Sequence, residues 1–249
     1  MTENRINILG LPVDNLTMEE TISKIDKAII EKNQIHHVVI NAAKVVNAKK
    51  DNELYESIVN CDIINADGQS IVIASKFLKI PLPERVPGID LMFNLIELAF
   101  QKNYKIFFLG ATQEILEKVI TKCETKYSKK IIAGFRNGYF QPTDEEDIAK
   151  EIAASNADIL FVAITSPKKE KFLNSYKNII NTPFIMGVGG SFDVFSGKVK
   201  RAPIWMQKLA LEWLYRVIQE PRRMWKRYLI TNTLFILYLL KAKLQKIFK

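Results

Sequence analysis

Short apolar runs of strand type recur along the first 197 residues, at 6–9, 37–40, 62–65, 105–109, 130–133, 158–164 and 184–188. Helical patterns lie between them. Thr17-Met-Glu-Glu20 reads as a capping box that opens a helix to about residue 31, and Thr143 with Glu146 offers a second box before 148–154. Asp51 can cap a helix over 54–59, and helical spacing over 113–126 follows the strand that ends at Gly110. Strands that alternate with helices need crossover connections. The pattern therefore predicts an α/β fold, a Rossmann-like and mostly parallel sheet with helices on both faces and ligands beyond the carboxyl ends of its strands.

Pro203 opens a different region. Apolar residues fall at helical spacing over 204–218, Pro221 breaks the pattern, and a second helix is expected over about 222–243. The chain is thus expected to divide into an α/β body, 1–197, and a helical C-terminal appendage, 198–249. Charge follows the same division: the appendage holds 13 Lys and Arg against Glu212 and Glu220, a net of +11, and the body has a net of −2. A basic tail of this kind seeks phosphate on a substrate, a nucleic acid or an anionic membrane. Its charges are interleaved with Trp205, Trp213, Trp225 and Tyr228 in an amphipathic order that suits a lipid interface, so nucleic acid is not the expected partner. The most apolar stretch, 228–240, is interrupted by Thr231-Asn232-Thr233 and is too short to span a bilayer, and the polar start 1–5 does not read as a signal peptide.

Overall, 48% hydrophobic and 25% charged residues exclude a disordered or low-complexity chain. Cys61 and Cys123 match no metal or redox spacing, which points to a reduced, cytoplasmic protein. Nothing in the pattern argues against a homo-oligomer.

The strand ends supply the candidate chemistry. Asn41 follows Val38-Val39-Ile40, and Asp67-Gly68 follows the run ending at Ala66, so both face one crevice. An aspartate there can act as a general base, and Asn41 can orient a hydroxyl or amide; a turn at Asp67-Gly68 and a helix cap at Asn41 would explain them equally. The glycine-rich Gly187-Val-Gly189-Gly190-Ser191 lets backbone approach a phosphate or ribose closely, without completing a dinucleotide or P-loop fingerprint. His36 and His37 are adjacent, face opposite sides of a strand and read as structural. No Asp-x-Asp and no His/Cys/carboxylate cluster suggests a metal-held diphosphate, so neither metal nor cofactor is expected and arginines would take the charge of a leaving diphosphate.

Taken together, Asp67-Gly68, Pro83-Glu-Arg-Val-Pro-Gly-Ile-Asp90, Gly138-Tyr-Phe140, Ser166-Pro-Lys-Lys-Glu170, Gly187 to Asp193, Gly197-Lys-Val-Lys-Arg-Ala-Pro203 and Leu211-Glu-Trp-Leu-Tyr-Arg216 through Glu220-Pro-Arg-Arg223 resemble the WecG/TagA/CpsF glycosyltransferases, glycosyltransferase family 26. The resemblance covers nearly the whole chain. It implies an inverting, metal-independent transfer of a sugar, such as N-acetylmannosamine, from a UDP-sugar to an undecaprenyl-diphosphate-linked sugar in wall, capsule or exopolysaccharide synthesis. It also implies an enzyme peripheral on the inner face of the cell membrane. By the likeness Asp67 is the base and Asn41 a substrate-site residue. Arg216, Arg223 and Lys226, the last where an arginine is usual, close over the diphosphate, and the Gly187–Gly190 loop, Ser191, Lys169 and Glu170 flank the substrate. Two positions depart from the family pattern: Val39 replaces the threonine of Thr-x-Asn, and Lys169 the glutamine of Pro-Lys-Gln-Glu. Two rivals are a non-catalytic membrane adaptor of the same fold and a nicotinamide-dependent oxidoreductase; the latter lacks the glycine turn after the first strand.

Overall fold

A computed structural model describes residues 5–247, without the side chains of residues 223, 246 and 247. Eight strands and twelve α-helices occur among the described residues. In chain order they are β1 (Arg5–Ile8), β2 (Leu11–Asp14), α1 (Met18–Glu31), β3 (Ile35–Ile40), α2 (Ala42–Ala48), α3 (Asn52–Val59), β4 (Ile63–Ala66), α4 (Gln69–Phe77), α5 (Gly88–Lys102), β5 (Ile106–Gly110), α6 (Gln113–Lys126), β6 (Ile132–Arg136), α7 (Glu145–Ala154), β7 (Ile159–Ala163), α8 (Lys168–Ile180), β8 (Phe184–Gly187), α9 (Ser191–Phe195), α10 (Ile204–Lys208), α11 (Glu212–Gln219) and α12 (Pro221–Ile247).

Six strands form one parallel sheet in the order β4-β3-β8-β7-β5-β6. Its two faces are legible in adjacent residues: Phe108 and Phe161 pack with α1, α5 and α6, whereas Phe107 and Leu160 pack with α7 and α8. Successive strand side chains point to opposite faces, so a sheet covered on both sides needs near-continuous apolar runs. The β3, β4 end carries a third apolar cluster with α2, α3 and α4.

The expected first strand does not join this sheet. β1 and β2 form a separate antiparallel hairpin through Leu9 and Gly10, both at positive φ, as a primed two-residue turn requires. The hairpin lies along β4. Asp14 Oδ2 accepts the Ile64 N–H at 2.6 Å, and Arg5 donates to the carbonyls of Cys61 and Asp62 at 2.9 and 2.6 Å. An edge that would otherwise expose ladder groups is thereby covered.

The caps at Thr17 and Asp51 form as expected, with Glu20 completing the Thr17 box. The Thr143 box does not: Asp144 Oδ2 accepts the Gln141 N–H at 2.9 Å, and a short 3₁₀ turn, Pro142–Asp144, precedes α7. The C-terminal region holds three helices rather than a pair, because Ala210 turns left-handed between α10 and α11. Pro221 separates α11 from α12 as expected and is itself the first residue of α12, where a proline's missing N–H is harmless. The apolar stretch of α12 splits between two environments. Phe235 is buried in the third cluster, joined by Leu234, Tyr238 and Leu239, while Ile236, Leu237 and Leu240 stay exposed.

Candidate active site

Beyond the ends of the adjacent strands β4 and β3, a cavity of about 770 Å³ opens toward helices α11 and α12. This size is within the range of roughly 300–1,000 Å³ usual for small-molecule sites. Asn41, Asp67 and Arg216 all line it. Asn41 caps α2, its side chain accepting the Lys44 N–H at 3.1 Å, so the structural reading of this residue holds beside the functional one. Asp67 follows β4; its Oδ1 accepts the Gly88 N–H at 2.9 Å, at the first turn of α5. That bond fixes the carboxylate at the cavity wall, where α5's N-terminal dipole favours the anion.

The remaining expected residues stand elsewhere. Lys226 is exposed on α12 and does not line the cavity, and the side chain of Arg223 lies outside the described residues. Gly187, Gly189, Gly190, Ser191, Lys169 and Glu170 sit behind the cavity wall rather than on it. The Val188 N–H of the glycine loop donates to the Val162 carbonyl at 2.9 Å, and the Ser191 hydroxyl is spent on the Val188 carbonyl at 2.8 Å.

Lys169 and Glu170 instead belong to a buried charge cluster. Glu170 Oε1 lies 2.8 Å from Lys44 Nζ and 2.9 Å from Lys169 Nζ, and Lys44 also donates to the Val39 carbonyl at 2.7 Å. Burial alone would push the Glu170 carboxyl up, but the two ammonium groups outweigh it and hold it below the usual carboxylate range. For Lys169, burial and then Lys44 push the ammonium below its usual range, against the opposing pull of Glu170 and Asp67. Gly187 is glycine because of this side chain: a Cβ there would meet Lys169 Cε at 2.3 Å. Lys44 had no sequence signal, being one lysine in an alanine-rich helix.

Sequence reasoning also passed over the residues that tie the C-terminal helices to the sheet. Arg201 grips Asp90 with both guanidinium nitrogens and lies 3.8 Å from Glu212, which Arg85 contacts at 2.7 Å. Arg85 also donates to Gln207 at 3.2 Å. Arg201, Glu212 and Arg227 line the cavity; the first two sit inside the motifs Gly197 to Pro203 and Leu211 to Arg216, which marked the stretch without singling them out. His36 and His37 are structural. His37 Nε2 meets Asn65 Oδ1 at 2.9 Å, His36 Nδ1 lies 3.6 Å from Cys61 Sγ, and burial lowers them to about 4 and about 3 respectively. Among the described residues no three His, Cys, Asp or Glu side chains come together as a metal-ligand group.

Asp67 and Arg216 line one cavity at the strand ends, an arrangement open to several chemistries, and comparison with known proteins narrows them. The profile of the glycosyl transferase WecG/TagA/CpsF family matches residues 6–248. The chain belongs to that family. Its WecG/TagA/CpsF relatives include an N-acetylglucosaminyldiphosphoundecaprenol N-acetyl-beta-D-mannosaminyltransferase of Bacillus subtilis, 35% identical over 97% of this chain and 93% of the relative. Enzymes of the same description from Bacillus spizizenii and Staphylococcus aureus are 34% and 33% identical, over 92% and 96% of this chain and 88% and 93% of theirs. As a WecG/TagA/CpsF member the protein is a hexosyltransferase.

Proposed function

We propose that the protein transfers an N-acetylhexosamine, such as N-acetylmannosamine, from a UDP-sugar to a sugar carried on undecaprenyl diphosphate, with inversion and without a metal ion. The observation that carries this reading is the meeting of Asp67, Asn41 and Arg216 in one cavity between the strand ends and the C-terminal helices. The relatives' acceptor, a lipid diphosphate sugar, supports the choice of substrate.

In this mechanism Asp67 takes the proton of the acceptor hydroxyl as its oxygen attacks the anomeric carbon from the face opposite UDP. The anomeric carbon–oxygen bond breaks, and the diphosphate of UDP keeps the electron pair. Arg216, with Arg223 and Lys226 brought in by closure of α11 and α12, neutralises that charge. Asn41 orients the acceptor, while Lys169, Glu170 and the Gly187–Ser191 loop hold the shape of the wall behind the donor. Residues 1–197 supply the base and 198–249 the anion site and a surface for the anionic inner leaflet. No helix among the described residues is long and apolar enough to cross a membrane.

The test is a screen of UDP-hexosamines against a short-chain prenyl-diphosphate N-acetylglucosamine, read by mass spectrometry with and without EDTA. A single added hexosamine of β configuration, formed equally with EDTA, is expected. No product with any donor overturns the activity, and loss of product in EDTA restored by magnesium or manganese overturns the metal-free step.

A further inference from the structure

The cavity lining holds both charged and apolar residues, and along α12 the two kinds separate. On α12 the lining runs from Trp225 to Leu239, roughly 20 Å of helix axis at 1.5 Å per residue. Asp67 and Ser70 line it where α4 begins, and Arg201, Arg216 and Arg227 line it as well. Ile73, one turn further along α4, starts an apolar wall completed by Phe235, Ile236 and Leu239.

Lys243 Nζ donates to the Phe77 carbonyl at 2.7 Å and sits 4.9 Å from the centre of the Phe77 ring, which sets the last residues of α4 against the later turns of α12. Beyond the cavity the strip continues on exposed Phe77, Leu240 and Leu244, beside Lys241 and Lys243. With Arg201 held by Asp90 and Arg216 assigned to UDP, the track along α12 begins at Arg227, becomes apolar at Phe235, Ile236 and Leu239, and emerges among apolar and basic residues. A single anionic group with an apolar tail matches that order; a second protein chain would have no use for the arginine end.

We infer that the groove between α4 and α12 binds the first isoprene units of a polyprenyl diphosphate, so that the enzyme grips the acceptor by its lipid as well as its sugar. This rests on the acceptor reading above. Ile73 and Ile236 both line the cavity yet are 52% and 54% exposed, so they contribute to the groove far more than to the core. They are the positions at which to test it without unfolding the chain.

The full-length protein, without vesicles or detergent, is titrated with dimethylallyl, geranyl and farnesyl diphosphate, carrying one, two and three isoprene units. Fluorescence of Trp213 and Trp225, both in the cavity lining, reports binding. Each added unit buries more apolar surface, so the three-unit ligand is expected to bind at least about 10-fold tighter than the one-unit ligand. Ile73→Asn and Ile236→Asn should each erase most of that gain and leave affinity for the one-unit ligand and for UDP unchanged, with wild-type circular dichroism. Equal affinity for all three lengths in the unmutated protein overturns the groove, as does a gain retained in both variants. The transfer assay above stands apart: chain-length dependence without transfer counts against the catalytic reading alone, and transfer without chain-length dependence counts against the groove alone.

Discussion

Asp67 serves two masters, the cavity and the start of α5, and the two can be separated. Asparagine keeps an oxygen to accept the Gly88 N–H but cannot take a proton from a hydroxyl. Asp67→Asn should retain its melting temperature and UDP binding while turnover falls about 100-fold or more, the loss expected of a general base; undiminished turnover would remove Asp67 from that role. The buried histidines set a different test. Their folded values, about 3 and about 4, lie below the ordinary 6.5, so the unfolded chain binds more protons as pH falls below 6.5. Stability present above pH 6.5 is therefore lost on acidification down to the folded values. Between pH 7 and pH 5 each histidine should subtract roughly 2 kcal/mol, read by urea unfolding, and His36→Gln should flatten the slope by about half. Both were legible as structural from their adjacency in one strand. The Lys44–Glu170–Lys169 cluster was not, since it joins α2 to α8 across the β3 end and no spacing in the chain reveals such a meeting.

At the scale of elements, the legible part of the fold is that governed by local rules. Six of the seven expected strands enter the sheet, and the Thr17 and Asp51 caps stand where Glu20 and Leu54 require them. What escaped was governed by tertiary pairing. β2 contains Pro12 and four residues only; it pairs with β1, and its Asp14 side chain accepts the Ile64 N–H of β4. The left-handed Ala210 that divides α10 from α11 has no glycine to announce it. Between those helices and the sheet stands the Asp90–Arg201–Glu212–Arg85 clasp. Glu212 is one-third exposed, which reduces a charge-assisted bond of roughly 1.5–3 kcal/mol to about 1 kcal/mol. Glu212→Ala should then raise amide exchange in α11 by about 5-fold and leave the β5, β7 and β8 amides unchanged; an unaltered α11 would show that the clasp carries no share of the docking.

For the whole molecule, charge asymmetry was readable from sequence, but the environment of α12 was not. The apolar stretch 234–240 admits two readings from sequence, a membrane face or packing on the body or a partner subunit, and Phe235, with Leu234, Tyr238 and Leu239, packs against the cluster that holds α2 and α4. A chain stopped near residue 198 would uncover that cluster, so membrane binding is better probed in the intact protein. Arg222, Lys226 and Lys241 are exposed on α12, and on the proposed membrane reading each would contribute about 1 kcal/mol at an anionic surface. Charge reversal of all three should abolish sedimentation with anionic vesicles and leave the melting temperature within a degree or two; equal pelleting, or binding insensitive to salt, would set the membrane face elsewhere. The seating of Phe235 also bears on how the protein is made. Every strand of the sheet is synthesised before α12, yet the cluster around β3 and β4 closes only when α12 arrives. A sheet folded ahead of α12 would leave that apolar trough open, so one last helix completes both the core around β3 and β4 and the wall of the cavity.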